Sequence, residues 1–161
     1  MLDTRCAECG FDASTFEVQT TGTAIRRNAA SWQAVLRGSG LQRRPDPQTW
    51  SPLEYACHVR DVFRLYDVRL MLMLTTVDPD YPNWDQDATA VEDKYNEQDP
   101  ARVSSELEEA AEQLAAHFDA VEDAQWLRTG NRSDGKRFTV ESFARYMIHD
   151  PIHHLHDVGA A

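Results

Sequence analysis

The sequence predicts an all-α protein, a four-helix bundle with long loops and a short Cys-x-x-Cys segment at the N-terminus. Three observations favour this fold class. Apolar residues recur at the helical period in four segments. Capping signals precede three of those segments. Alternation of apolar and polar residues never lasts long enough to indicate a β-sheet. A bundle is the simplest arrangement in which four amphipathic helices bury their apolar faces.

Length and composition indicate one domain over 1–161, with the Cys-x-x-Cys segment at 1–13 and the helical bundle at 14–158. The chain has 161 residues and is 42% hydrophobic, which is enough for one core. Its longest apolar run, 70–74, is too short to cross a bilayer, and the N-terminus lacks the pattern of a signal peptide. We therefore expect a cytoplasmic protein.

The charge of the chain argues against two classes of partner. Acidic side chains outnumber basic ones by 27 to 16, and the net charge of −11 repels nucleic-acid phosphates and anionic lipid head groups. We expect neither nucleic acid nor a membrane as a partner. Only two of the basic residues are lysines, while alanine and arginine are abundant, a bias that is typical of GC-rich bacteria.

The first two helices are predicted at 14–36 and from 52 to about 74. Helix one carries apolar residues at helical spacing, among them Ile25, Ala29 and Trp32, and ends at a Gly-rich and Pro-rich stretch. Helix two has the clearest start signal, since Ser51 precedes a proline and Glu54 completes a capping box. The Pro-rich and Asp-rich connection that follows, 78–87, is long for a small domain, and loops of that length are often functional.

Helices three and four are predicted after Asp99 and after Thr139. Asp99 is followed by a proline, and the apolar period then continues to Phe118. The hydroxyl of Thr139 is placed to cap the last helix, with Glu141 in its first turn. This last helix contains most of the histidines of the chain.

Four histidines lie within eight residues of the last helix, at positions 149, 153, 154 and 156. His149 and His153 are four residues apart, so their imidazoles project from one face and can bind one metal ion. Both point away from the predicted core stripe, towards either a cleft between helices or solvent. Asp150 and His154 have the same spacing and form a rival pair.

His58 provides a third imidazole from helix two, on the flank of the apolar face of that helix. One histidine and a spaced pair supply the three nitrogen ligands of a catalytic zinc or nickel site, with one position open for water or substrate. Two carboxylates, Asp61 and Asp157, lie where they can orient such ligands. The alternative is that these residues are structural or solvated.

The N-terminal Cys6 and Cys9 resemble half of a zinc knuckle, with a glycine that permits the tight turn. Three hypotheses remain open for this pair: a second metal site, additional or structural ligands joined to the histidine site, or a redox-active dithiol. Three cysteines cannot all pair internally, and the Cys-x-x-Cys spacing favours a reducing compartment. Cys57 alone is more often a small buried apolar residue than a ligand.

The stretch Trp-Ser-Pro-Leu-Glu-Tyr-Ala-Cys-His-Val-Arg-Asp at 50–61, followed by His149-x-x-x-His153, resembles the DinB/YfiT-like superfamily over most of the chain. In that family a four-helix bundle holds a divalent ion, commonly zinc or nickel. The resemblance implies His58, His149 and His153 as the metal ligands. His156 corresponds to a polar residue that the family often has three places after the last ligand.

The resemblance also implies a function, since the family includes thiol S-transferases that use bacillithiol or mycothiol. A protein of this kind adds a small-molecule thiol to an electrophile in detoxification or stress response, and a GC-rich source favours mycothiol. One alternative is a metal-dependent hydrolase with Asp61, Asp85 or Asp87 as the base. Another is a non-enzymatic stress or interaction protein that is braced by its metal. Homodimers are common among the family members.

Overall fold

Five α-helices and three short β-strands make up the fold, which the computed structural model describes for residues 5–160. The helices are α1 (Thr21–Leu36), α2 (Pro52–Thr75), α3 (Gln86–Glu92), α4 (Pro100–Asp119) and α5 (Val140–Asp157). The strands are β1 (Asp80–Tyr81), β2 (Thr129–Arg132) and β3 (Arg137–Thr139), and short 3-10 helices occur at Val18–Thr20, Tyr95–Glu97 and Asp123–Leu127. The four long helices α1, α2, α4 and α5 form the predicted bundle. None of the described helices is both long and apolar enough to cross a bilayer.

Three helices begin at the capping residues that the sequence predicts. The Ser51 side chain accepts a hydrogen bond from the amide of Glu54, and the Glu54 side chain accepts one from the amide of Ser51, which completes the capping box of α2. Asp99 caps α4 in front of a proline. Thr139 caps α5. These three predicted helix starts are confirmed.

The first helix is shorter than predicted: α1 begins at Thr21 rather than near Ser14. The Asp12 carboxylate accepts hydrogen bonds from the amide and the hydroxyl of Ser14, at 3.0 and 2.6 Å. Bonds of this kind stabilise a turn in competition with helix. Residues 5–17 consequently form an irregular segment, and this segment contacts α5.

The three-stranded sheet was not predicted from the sequence. Strand β1 pairs in parallel with β2, which pairs antiparallel with β3. Strands of two to four residues are too short to show a period, and the parallel pairing joins segments that are distant in the chain. Gly130 is required at the centre, since a Cβ there would lie 2.8 Å from Met73 Cγ and 2.9 Å from Tyr81 Cε1. Through β1, the sheet fixes the 78–87 loop against β2, and Tyr81 of this loop pairs with Arg132.

Core packing fixes the rotation of α5 about its axis. Six residues form its predicted apolar stripe, of which the last, Val158, is partly buried and the others are buried: Val140, Ala144, Met147, Pro151 and Leu155. The helix continues through Pro151, whose carbonyl oxygen accepts a hydrogen bond from Asn28 at 2.9 Å. Successive residues of a helix point about 100° apart. The buried stripe therefore also decides where each histidine of α5 points.

Candidate metal centre

Helices α2 and α5 bring one histidine and one aspartate–histidine pair together beside a cleft. His58 on α2 is fully buried, and Asp150 and His154 lie one turn apart on α5. His58 Nε2 is 3.0 Å from Asp150 Oδ2, and His154 Nε2 is 3.5 Å from Asp150 Oδ1. One donor atom from each residue lies within 4.8 Å of the other two. These three residues, here called the inner group, are arranged to hold one divalent cation.

Aromatic side chains hold the imidazoles of the inner group in place. Trp84 stacks on His58 with 5.3 Å between ring centroids and 4° between planes, and Trp50 packs against the same ring. The indole of Trp84 donates a hydrogen bond to the hydroxyl of Thr89 at 2.7 Å. Tyr55 packs against His154 with 4.7 Å between ring centroids. The ligand atoms are thus positioned by packing before any ion binds.

The inner group needs a positive charge between its members. His154 Nδ1 lies 2.7 Å from Asp157 Oδ2, so Nδ1 carries the ring proton and Nε2 holds the lone pair of the neutral ring. That Nε2 is buried without a hydrogen-bond partner among the described residues, and it faces the Asp150 carboxylate. Two acceptors that face each other repel, and either a proton on His154 or a cation between them relieves the repulsion. The donor set therefore fits a divalent cation.

The same contacts govern the charge of Asp150. Burial opposes ionisation of this carboxyl, but the adjacent imidazoles of His154 and His58 lower its pKa below the usual range. Burial also opposes a charge on His154, yet Asp150 and Asp157 raise the pKa of its imidazole. Asp150 is consequently ionised at neutral pH, as a metal ligand must be.

A second set of ligands lies on the adjacent face of α5, where the N-terminal segment meets the helix. Its members are Cys6, Cys9, His149 and His153, all partly buried, with donor atoms within 4.8 Å of one another. Cys6 Sγ lies 3.6 Å from His153 Nδ1. These four residues are here called the outer group.

The environment of the two thiols in the outer group differs. Hydrogen bonds from the backbone of Cys9 and Glu8, followed by one from His149, lower the pKa of the Cys6 thiol to about 6. Burial raises the pKa of the Cys9 thiol. Cys6 is therefore largely a thiolate at neutral pH, which is the form that binds metals.

The structure does not bring the three predicted ligands into one group. His58 belongs to the inner group, whereas His149 and His153 belong to the outer group. The rival pair, Asp150 and His154, lies beside His58 instead. The sequence contained a signal for this arrangement, because on a helical wheel Asp150 and His154 lie next to the buried stripe of α5 while His149 and His153 point away from it.

The two predicted supporting carboxylates have different positions. Asp157 contacts His154, as expected of a residue that orients a ligand. Asp61 does not contact His58. Its carboxylate instead accepts hydrogen bonds from Arg60 at 2.9 and 3.0 Å and from the hydroxyl of Tyr95 at 2.6 Å. Asp61 does not take the expected role because Arg60 on its own helix and Tyr95 in the 3-10 helix at Tyr95–Glu97 already satisfy its carboxylate.

Two further predicted residues lie outside both groups. The side chain of His156 is 47% exposed, and its ring lies 6.1 Å from that of His153. Cys57 is buried and free, and its thiol donates a weak hydrogen bond to the carbonyl oxygen of Tyr95. Burial raises the pKa of the Cys57 thiol to about 12. Cys57 is therefore a small core residue, as expected.

Both groups contribute residues to the wall of a cleft of about 630 Å³: His58 and Asp150 from the inner group, and Cys6, His149 and His153 from the outer group. Two buried arginines, Arg69 and Arg132, line it together with Tyr66, Trp84 and Tyr146. Arg132 was missed from the sequence, where it lies in an apparent polar turn, and only the pairing of β1 with β2 turns it towards the cleft.

Arg69 differs from Arg132 in its partners. Arg132 forms an ion pair with Asp134 at 2.9 Å. Arg69 donates a hydrogen bond to the carbonyl oxygen of Pro82 and lies over the rings of Tyr66 and Tyr81, but it pairs with no carboxylate among the described residues. Burial lowers the pKa of its guanidinium, which nevertheless stays charged. Within the described part of the chain, Arg69 is thus a buried cleft arginine without a paired carboxylate.

Comparison with known proteins identifies the family. Residues 22–158 match the sequence model of the DinB superfamily. The fold is similar to that of YfiT from Bacillus subtilis, described as a probable metal-dependent hydrolase with an unusual four-helix bundle topology. The TM-score is 0.78 at 19% identity, over 89% of this chain and 85% of that chain. No curated protein matches the sequence. Because residues 22–158 match the family model, this chain belongs to the DinB superfamily.

Proposed function

We propose that the chain is a divalent-metal-dependent enzyme whose ion is held by His58, Asp150 and His154. The observation that carries the proposal is the convergence of these three donors beside a cleft that is large enough for a small molecule. Two imidazoles and one carboxylate are a donor set of catalytic zinc sites, in which the fourth position takes water or substrate. Of the three ligands that the resemblance implies, this set retains His58. Asp150 and His154 take the places of His149 and His153.

The reaction we propose is transfer of a small-molecule thiol, of the mycothiol type, to an electrophile. Bound in the inner group, a divalent ion would lower the pKa of a thiol that takes the open position. The thiol sulfur forms the new bond to the electrophilic carbon, its proton passes to solvent, and the leaving group departs or the adduct is protonated. Arg69 attracts an anionic group of the substrate, and Trp84 shields the reacting atoms from water.

One observation favours thiol transfer over hydrolysis. None of the three carboxylates considered as hydrolytic bases, Asp61, Asp85 and Asp87, is among the residues that line the cleft. Asp61 bonds Arg60 and Tyr95, and Asp85 caps α3. A thiolate is already a strong nucleophile and needs no such base. Hydrolysis is the second candidate, because the structurally similar YfiT is described as a probable hydrolase. Two imidazoles and a carboxylate also hold zinc in hydrolases that activate water.

The test combines metal-loaded protein with mycothiol, cysteine or glutathione and a generic haloaromatic electrophile, and it detects the adduct by mass spectrometry. We expect adduct formation that Asp150→Ala and His154→Ala abolish and that His156→Ala, on the same helix, preserves. Absence of adduct with every thiol would contradict thiol transfer. Cleavage of an activated ester under the same conditions, with the same variant pattern, would establish hydrolysis. A metal that affects only the thermal stability would indicate a non-enzymatic, metal-braced protein.

A further inference from the structure

The outer group differs from the inner group in being a complete set of ligands for one ion. We infer that Cys6, Cys9, His149 and His153 bind a second metal ion, a structural zinc that attaches the N-terminal segment to α5. Two sulfur and two nitrogen donors match the tetrahedral coordination of structural zinc, and their spacings, Cys-x-x-Cys and His-x-x-x-His, are typical of such sites. Four protein ligands leave no open position, so the site is structural rather than catalytic.

The N-terminal segment is folded to present both cysteines. The amide of Gly10 donates a hydrogen bond to the carbonyl oxygen of Cys6 at 3.1 Å. The amide of Cys6 donates a hydrogen bond to the carbonyl oxygen of Phe11 at 2.8 Å. Gly10 has a φ of +75°, which L side chains rarely adopt, so the turn depends on glycine. This closed turn brings the thiols of Cys6 and Cys9 to the same side.

The histidine side of the outer group is also oriented. Phe11 stacks on His149 with 5.2 Å between centroids and 12° between planes, and His149 Nε2 is buried without a hydrogen-bond partner among the described residues. His153 Nε2 lies 3.2 Å from a Glu8 carboxylate oxygen while its Nδ1 faces Cys6. A carboxylate on one ring nitrogen and the metal on the other is the usual arrangement around zinc-binding histidines.

The second site is an addition to the family fold. The DinB match covers 22–158, which includes the whole inner group but neither cysteine. Cys6, Glu8, His149 and His153 all border the cleft. A zinc ion here would therefore hold the N-terminal segment as a wall of the cleft, independently of whether the inner group is catalytic.

The experiment measures metal stoichiometry and replaces the bound metal with cobalt. We expect two ions per chain, one for each group, and a thiolate-to-cobalt charge-transfer band in the near ultraviolet. The double variant Cys6→Ser, Cys9→Ser should lose one ion and the entire band. Asp150→Ala with His154→Ala should lose the other ion and keep the band. Cys57→Ala is the matched cysteine control and should keep both ions.

Three outcomes would overturn the inference. The first is a wild-type protein without a thiolate-to-cobalt band, and the second is a double cysteine variant that keeps both ions. The third is a single ion per chain whose cobalt band is lost in both His58→Gln and Cys6→Ser, since the thiolates would then bind the same ion as His58. Circular dichroism checks folding, since both cysteines lie outside the helices and their replacement should not change helix content. Enzymatic activity is not a readout, so the outcome is independent of the proposed reaction.

Discussion

The two ligand groups on α5 have the same spacing, shifted by one residue, yet they offer different chemistry. Asp150 and His154 face α2 and meet His58, whereas His149 and His153 face the N-terminal segment and meet two cysteines. The inner group has three donors, one of them a carboxylate, and borders the cleft through His58 and Asp150. The outer group has thiolate ligands and four donors. A rotation of about 100° on one helix thus separates the three donors that we propose as a catalytic site from the four that we infer to be a structural one.

Replacing His58 should produce the largest effect, and only in the inner group. His58→Gln keeps much of the side-chain volume but removes a ligand that is fully buried beneath Trp84. We expect a loss of metal affinity and of adduct formation of at least about 100-fold, since losing a residue that merely orients a ligand already costs about 10- to 100-fold. Isothermal titration with zinc and the adduct assay measure these losses.

The control for His58 is His117→Gln on α4, where the imidazole contacts Asp67 outside the cleft. It should leave metal affinity and adduct formation at wild-type values. If His58→Gln instead removed the thiolate-to-cobalt band, the separation between the two groups would be wrong.

Asp157 tests the comparison more finely because it lies between the two groups. Its carboxylate is 2.7 Å from His154 Nδ1 but 3.6 Å from His153 Nε2. Asp157→Asn should weaken metal binding in the inner group by about 10-fold or more and affect the outer group less. Competition with a zinc-binding dye, repeated on the double cysteine variant, separates the two affinities. Asp87→Asn, on exposed α3, serves as the control. An equal loss of metal affinity in both groups on Asp157→Asn would contradict the assignment of Asp157 to the inner group.

Arg69 should affect substrate binding without affecting either metal. Arg69→Gln removes the charge of this buried cleft arginine, and a hydrogen bond to a charged group contributes about 1.5 to 3 kcal/mol. We therefore expect KM for an anionic electrophile to rise about 10- to 100-fold, while KM for a neutral analogue and both metal stoichiometries stay unchanged. Arg137→Gln, an exposed arginine paired with Asp78, is the control. An equal rise for the neutral analogue would show that Arg69 acts through packing alone.

The smallest effect is expected from Thr139, the cap of the helix that carries both groups. Thr139→Ala removes the acceptor for the amide of Ser142 and should lower the free energy of unfolding by about 1 kcal/mol. Because the cap lies at the opposite end of α5 from the ligands, both metal affinities should remain equal to those of the wild type. Urea unfolding of metal-free protein measures the free energy of unfolding, and zinc titration measures the metal affinities. A selective loss from one group would indicate that the end of α5 is coupled to that group.

Local signals in the sequence were sufficient for most of the bundle. Capping residues and the helical period predicted where α2, α4 and α5 begin, because these signals act within one or two turns. The start of α1 was predicted too early, since the Asp12 turn competes with helix locally. The sheet was not predicted because its parallel pair depends on contacts between distant segments.

The sequence by itself determined a helical bundle, and it predicted His58 and a spaced pair on the last helix as its candidate metal ligands. It also singled out Cys6 and Cys9 and left open whether they bind a metal or form a redox-active dithiol. Only the tertiary structure decided which pair meets His58 and which meets the cysteines. The physical reason is that core burial sets the rotation of α5, and a one-residue change of register turns each side chain by about 100°. The partners of the remaining pair then follow from where the N-terminal segment packs, which no local pattern encodes.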